Sequence, residues 1–113
     1  MSNAAATAAY IRTLSPERVS FVISGDHSAD YGDEDRACAD YISSLLKDEQ
    51  PNRQAIAARV RNSDAAIKFL NPDAPEFPAE DLDDALCFDK FNFAMVVERI
   101  GDLLTMSAIP QLL

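Results

Sequence analysis

The sequence is poor in cysteine, glycine and histidine, residues on which many small metal and disulfide folds depend. Its 113 residues include two cysteines, three glycines and one histidine. Two cysteines are too few for a disulfide scaffold or a zinc ribbon, so we interpret Cys38 and Cys87 as reduced thiols that serve as small buried hydrophobes. With 48% apolar residues and little glycine, the chain is neither collagen-like nor low in complexity. Its length predicts one globular domain, residues 1–113.

Positive charge is also scarce. Ten basic residues face nineteen acidic ones, which gives a net charge of −9. A chain with this charge repels a phosphate backbone at long range, so nucleic acid is a poor candidate partner and we expect none. An anionic substrate would need local arginines, a helix N-terminus or a divalent cation to reverse the sign of the field.

Long apolar runs are absent as well. No stretch of the sequence approaches the ~20 residues that a membrane-spanning helix needs. Residues 1–7 lack the basic and leucine-rich regions of a secretory signal. We therefore expect no association with a membrane and a cytoplasmic location.

Several signatures of phosphoryl and acyl transfer are missing. The sequence has no Walker loop, glycine-rich dinucleotide fingerprint or zinc-protease helix. A cysteine phosphatase requires arginine six residues after its nucleophile, whereas Ser44 stands at that distance from Cys38. His27 is the sole histidine, and no Gly-x-Ser-x-Gly elbow or neighbouring thiol supports a catalytic triad around it. An EF-hand that begins at Asp26 fails because Tyr31 stands where that loop needs glycine.

What the sequence does contain is an alternation of strand and helix signals. Residues 19–24 are β-branched and almost continuously apolar, which predicts a central strand buried on both faces. A polar loop follows, and then a helix that begins near Asp33, whose carboxylate is expected to cap free backbone amides. This order places the loop at the carboxyl end of a strand, where open α/β sheets bind ligands.

Helices and a hairpin account for the rest of the chain. Periodicity and start signals predict further helices at residues 3–14, at 52–61, after Ser63 and after Pro78, with an irregular proline-rich stretch at 71–78. Two apolar runs, residues 93–99 and 103–109, flank Gly101 and Asp102 and predict an antiparallel hairpin. The expected fold class is α/β: a layered α/β/α domain with a mixed sheet and a C-terminal antiparallel hairpin.

Potential ligands converge in the polar loop and the helix start that follows it. Their side chains are those of Asp26, His27, Asp30, Asp33, Glu34 and Asp35. A hard cation such as Mg²⁺ takes carboxylate oxygens and keeps waters for a phosphorylated substrate, so one interpretation is a cation or substrate site. The other is a solvated acidic loop whose last carboxylates cap a helix. The residues alone leave both interpretations open.

Several segments together resemble one enzyme family. Residues 19–25, the loop, and residues 34–42 (Glu-Asp-Arg-Ala-Cys-Ala-Asp-Tyr-Ile) are similar to the buried strand, loop and Glu-Asp-x-x-Cys-Ala-x-x-Ile helix of the 2-phosphosulfolactate phosphatases. Residues 2–11 resemble the family's Asn-Ala helix, and residues 88–97 resemble its Asp-x-Phe-x-Phe segment before the last hairpin. The resemblance covers essentially the whole chain.

This resemblance implies a Mg²⁺-dependent hydrolase that removes phosphate from 2-phospho-3-sulfolactate, or from a related small phosphorylated acid, in a step towards coenzyme M. Glu34 and Asp35 would bind Mg²⁺, directly or through water, or orient the attacking group. Arg36 would meet a phosphate or sulfonate oxygen, although an exposed helix arginine is the simpler interpretation. The resemblance does not say whether water or an enzyme carboxylate attacks.

The resemblance also implies that the chain is incomplete as an enzyme. Members of the family are about twice as long, and this chain resembles their C-terminal half, without the segments that supply much of the cation and phosphate binding. A rival hypothesis is a non-catalytic α/β interaction domain, or one half of a split enzyme. A truncated sheet would expose an apolar edge, which predicts a homodimer or pairing with a chain equivalent to the missing N-terminal half.

Overall fold

The computed structural model of the chain describes residues 1–24 and 32–112, and of residues 64, 65 and 68 it describes the backbone alone. The described elements, in chain order, are α1 (Ala4–Leu14), α2 (Asp33–Leu46), α3 (Arg53–Arg61), α4 (Asp64–Leu70), α5 (Ala79–Ala85), β1 (Phe93–Ile100) and β2 (Leu103–Pro110). The described part of the chain therefore combines helices with one small sheet, which confirms the α/β composition. Within it, no helix is long and apolar enough to cross a membrane.

All the predicted helices form close to their expected positions, and residues 71–78 are irregular as predicted. Two details of their starts differ from expectation. The N-cap position of α2 is Gly32, in the left-handed conformation at φ 69°, and Asp33 is the first helical residue without a capping bond. Ser63 does precede α4, but its hydroxyl donates to the backbone oxygen of Val60 at 2.6 Å and does not cap α4.

The C-terminal hairpin is confirmed. β1 and β2 pair antiparallel in a register that runs from Phe93 opposite Pro110 to Ile100 opposite Leu103. The turn between them uses Gly101 at φ 62°, a conformation that favours glycine. One end of the hairpin packs on α1, where Ala94 is buried.

The predicted buried strand at residues 19–24 is wrong for the chain as the structure describes it. These residues form no strand, and Val22 is 91% exposed. A strand needs neighbours for its backbone groups, and the two described strands pair with each other. The sheet of the described residues is therefore antiparallel, and a layered α/β/α arrangement around a mixed sheet is not seen in it.

The core lies between the helices. One cluster of buried side chains joins α2, α3, α4 and α5, and its members are Ala37, Val60, Ala66, Leu82 and Leu86. A second contact brings α1 close to α2, with Ala4, Ala6 and Ala8 of α1 all buried. Most of these residues are small, so helix backbones approach closely but each contact buries little apolar area.

The two cysteines are free thiols, as predicted. Their predicted burial is only partly correct, because Cys38 is half-buried on α2 whereas Cys87 is exposed after α5. The apolar residues around Cys87 in the sequence therefore do not enclose it.

A carboxylate at Asp89 joins α1, α2 and α3 to the turn before β1. Its Oδ1 accepts from the backbone nitrogen of Ala5 at 2.7 Å, and its Oδ2 accepts from the Tyr41 hydroxyl at 2.6 Å and from Arg53 at 2.8 Å. Arg53 Nε also donates to the Tyr41 hydroxyl oxygen at 3.0 Å. The Tyr41 side chain is the largest fully buried one among the described residues, and its ring packs edge-to-face with that of Phe88, with the centroids 5.1 Å apart.

Substitution of Tyr41 by Phe should therefore destabilise the protein. The change keeps the buried ring and removes the hydroxyl's two bonds, to Asp89 and from Arg53; loss of a bond to a charged group costs about 1.5–3 kcal/mol in free energy of unfolding, so the loss should be at least of that order. Urea denaturation measures this loss. The matched control is Tyr10→Phe, at a half-buried tyrosine whose hydroxyl has no partner among the described residues, and it should change stability by less than about 0.5 kcal/mol.

The same tyrosine gives an expected pH dependence. Burial raises the pKa of Tyr41 above its ordinary value of 10.0, and the bond to Asp89 adds to this while Arg53 opposes it. The folded protein thus holds the phenol proton more tightly than the unfolded chain does. This contribution to stability is complete below about pH 10 and is lost as the pH rises through the higher folded value. Parallel stability curves for the parent and Tyr41→Phe above pH 10 would contradict this assignment.

Candidate functional site

The candidate site is the first turn of α2, which holds Asp33, Glu34 and Asp35. Three acidic side chains at this position lie at the positive end of the helix dipole. Asp26, His27 and Asp30 of the predicted ligand stretch lie outside the described residues. The described half of the stretch shows three acids side by side in sequence with three different environments.

Asp35 ties the end of the 19–24 stretch to α2. Its Oδ2 accepts from both the backbone nitrogen and the hydroxyl of Ser24, each at 3.1 Å. These bonds place the end of the predicted strand beside the start of the helix, as the strand-loop-helix interpretation requires. One oxygen of Asp35 is therefore engaged in structure.

Asp33 forms an ion pair that the sequence analysis did not identify. Its Oδ1 accepts from Arg59 Nη2 at 2.7 Å and from Nε at 3.0 Å, while Arg59 Nη1 donates to Asp40 at 2.7 Å. These hydrogen bonds raise the pKa of the Arg59 guanidinium above its ordinary value, and the bond to Asp33 has the largest effect. The pair fastens α2 to α3. The available signal was the seven-residue spacing of Asp33 and Asp40, which places both on one face of a helix.

Glu34 has the environment that most resembles a functional carboxylate. Its Oε2 is buried and has no hydrogen-bond partner among the described residues. The residue lines a cleft of about 180 Å³ together with Val60, Phe69, Asp81 and Leu82. An unsatisfied buried carboxylate oxygen is unfavourable unless a ligand or water meets it. The cleft is smaller than the roughly 300 Å³ typical of small-molecule sites.

Arg36 is exposed, and its side chain has no ion-pair partner in the part of the chain that the structure describes. Its backbone nitrogen donates to Gly32 at 3.0 Å in the first turn of α2. The guanidinium thus lies in solvent next in sequence to two acids. Both interpretations of Arg36, as a ligand of a substrate oxygen and as a surface residue, fit this position.

A complete metal centre is not formed by residues 1–24 and 32–112, where no group of three or more acidic, histidine or cysteine side chains could hold an ion. Mg²⁺ does not require such a cage, because it commonly takes one or two carboxylates and completes its shell with waters and substrate phosphates. Glu34 Oε2 fits as one such ligand. Asp35 fits less well as a direct ligand, since its Oδ2 already accepts two hydrogen bonds.

Comparison with known proteins identifies a relative. The chain is 30% identical over 111 residues to the "Probable 2-phosphosulfolactate phosphatase" of Bacillus subtilis (strain 168). The alignment covers 96% of this chain and 47% of that protein. The chain therefore spans about half the length of the curated relative it matches. No protein-family profile matches the chain, and no solved structure matches it significantly.

The resemblance inferred from residues 2–11, 19–25, 34–42 and 88–97 is confirmed by this comparison. A coverage of 47% is also consistent with one half of a protein of this kind. The roles of Glu34, Asp35 and Arg36 remain predictions.

Asp35→Ala should release Ser24 from α2. Loss of the acceptor frees the Ser24 amide, and its hydrogen-exchange rate should rise by roughly tenfold. Mass spectrometry or NMR of exchanging amides measures this change. Arg36→Ala is the matched control, because it alters the adjacent exposed side chain and keeps the acceptor. Equal protection of Ser24 in Asp35→Ala and in the parent would show that this contact does not hold the segment.

Proposed function

We propose that this chain is one half of a phosphatase that hydrolyses 2-phospho-3-sulfolactate or a closely related small phosphorylated acid. That reaction adds water across the ester bond. The oxygen of water becomes bonded to phosphorus, the bond between phosphorus and the oxygen on the 2-carbon breaks, and sulfolactate and phosphate leave. The observation that carries the proposal is the 30% identity to a probable 2-phosphosulfolactate phosphatase across 96% of the chain.

In this proposal Glu34 is the direct ligand of a Mg²⁺ ion. Its buried Oε2 lacks a partner among the described residues, and a divalent cation would satisfy it. Bound Mg²⁺ supplies positive charge that neutralises the oxygens of the transferred phosphoryl group. Asp35 acts as a positioning residue, because its bonds to Ser24 hold the segment before the loop against the helix that carries Glu34.

Arg36 and the N-terminus of α2 would make the site attractive to an anion. The chain carries a net charge of −9, so a doubly charged substrate meets long-range repulsion. The first turn of α2 presents the positive end of the helix dipole, and Arg36 adds an exposed guanidinium that has no ion-pair partner among the described residues. These groups and the cation reverse the sign of the field locally.

The alternative proposal is a non-catalytic interaction domain. The observation that favours it is one face of the hairpin, on which Met95, Val97, Leu104 and Met106 are all about half exposed or more. An apolar face of this kind is typical of a surface that another polypeptide covers. A cytoplasmic location stays a prediction under both proposals.

The isolated 113-residue chain should release little or no phosphate from 2-phospho-3-sulfolactate in the presence of Mg²⁺. It spans 47% of the relative's length, and groups that act as a unit lose activity far out of proportion when some are absent. A colorimetric assay for phosphate measures turnover. Robust Mg²⁺-dependent turnover by this chain alone would show that it carries a whole active site.

Glu34→Gln should abolish most activity in the completed enzyme, meaning this chain co-expressed with the part of the relative that it does not cover. The amide keeps the shape and removes the charge, so Mg²⁺ affinity and kcat/KM should fall on the order of 100-fold. Asp35→Asn should lower kcat/KM by about 10-fold and leave Mg²⁺ affinity closer to that of the parent.

The control for both amide variants is Glu49→Gln, at an exposed residue after α2, which should leave Mg²⁺ affinity and turnover unchanged. Isothermal titration with Mg²⁺ and steady-state kinetics provide the two measurements. If the completed enzyme is active and neither amide variant differs from the parent, the first turn of α2 is only a solvated helix start.

A further inference from the structure

Residues 19–24, hereafter the apolar segment, have the composition of a buried strand without its surroundings. The segment reads Val-Ser-Phe-Val-Ile-Ser. Across residues 16–23 the structure shows no backbone hydrogen bond to another described residue. Unpaired backbone groups next to β-branched side chains are typical of a strand at a sheet edge that lacks a neighbouring strand.

The apolar segment follows a defined end of α1 and is held in place at its C-terminal end. Ser15, at φ 44°, ends α1 with a bond from its nitrogen to Arg12. Ser24 is fixed to Asp35 through two hydrogen bonds. The exposed fraction also alternates along the segment. Val19 and Phe21, at odd-numbered positions, are 37% and 39% exposed, whereas Val22, at an even-numbered position, is 91% exposed. This period of two is that of an extended strand with one face towards its own chain.

We propose that the apolar segment is a docking strand for a polypeptide equivalent to the part of the phosphatase relative that this chain does not cover. The inference rests on the same similarity as the proposed function and deepens it by naming the surface through which the two parts join. Strands of the partner pair with the backbone of the segment, and its side chains cover Val22. Addition of strands to exposed backbone is a common mode of recognition.

A second copy of this chain is a poorer occupant. Two-fold pairing of one segment with its copy uses one edge of each strand and leaves the other edge open. Each copy also carries a net charge of −9, and repulsion between two chains of like charge opposes their association. The uncovered part of the relative is slightly longer than half of that protein, which is enough chain to supply strands at both edges and a cover for the exposed face.

The test is co-expression of this chain with the uncovered part of the Bacillus subtilis relative, produced as a separate polypeptide. Light scattering after gel filtration should show a one-to-one complex. Hydrogen exchange at residues 19–23 should slow by roughly tenfold or more in the complex relative to the isolated chain. Val22→Lys should weaken the complex by about 30-fold, and because Val22 is exposed, its thermal unfolding should match that of the parent chain.

The matched control is Ile67→Lys, at a 61% exposed apolar residue of α4, which should leave the affinity unchanged. The proposal is overturned if no complex forms, if residues 19–23 are not protected in it, if both lysine variants weaken it equally, or if the protected species is a homodimer. A one-to-one complex with protected residues 19–23 and no phosphatase activity would sustain this inference and refute the proposed function. Activity with unprotected residues 19–23 would do the reverse.

Discussion

The arrangement of the first three helices depends on one carboxylate, that of Asp89. It accepts a backbone amide of α1, a hydroxyl of α2 and a guanidinium of α3, and it lies in the turn that leads into the hairpin. The apolar contacts between these helices are made largely by alanine, which buries little area per residue. Directional hydrogen bonds to the Asp89 side chain therefore help to orient these helices, as bulky apolar side chains do in a larger core. Asp89 itself has φ 55°, a left-handed conformation that aspartate tolerates better than most residues.

Features that are encoded locally could be predicted from the sequence. Periodic apolar residues located α1, α2 and α3, three prolines located the irregular stretch, and the pair Gly101 and Asp102 located the hairpin turn. The strand at residues 19–24 was predicted wrongly because apolar composition alone does not make a strand: the backbone also needs hydrogen-bond partners, and the two described strands pair with each other. The ion pairs of Arg59 with Asp33 and Asp40 were not predicted. An ion pair between two helices depends on how the helices pack, and no local sequence pattern encodes that packing.

The first turn of α2 shows why a run of acidic residues is a weak predictor of chemistry. Asp33 is neutralised by Arg59, Asp35 is hydrogen-bonded to Ser24, and the buried oxygen of Glu34 has no described partner. Successive residues on a helix point about 100° apart, so neighbours in sequence face different surroundings. One acid fastens two helices, one anchors an extended segment, and the third has a buried oxygen without a described partner. The sequence located the three acids at one helix start but could not assign their separate environments.

The buried position of Tyr41 also has an optical consequence. The chain contains three tyrosines and no tryptophan, so its fluorescence and its longest-wavelength ultraviolet absorbance are dominated by phenol rings. Tyr41 is fully buried and donates to a carboxylate, an arrangement that shifts phenol absorbance to longer wavelength and quenches its fluorescence. Separation of the helices would expose this ring to water and release the quenching. The protein thus carries an intrinsic spectroscopic signal for the junction at Asp89, and no label has to be introduced to follow it.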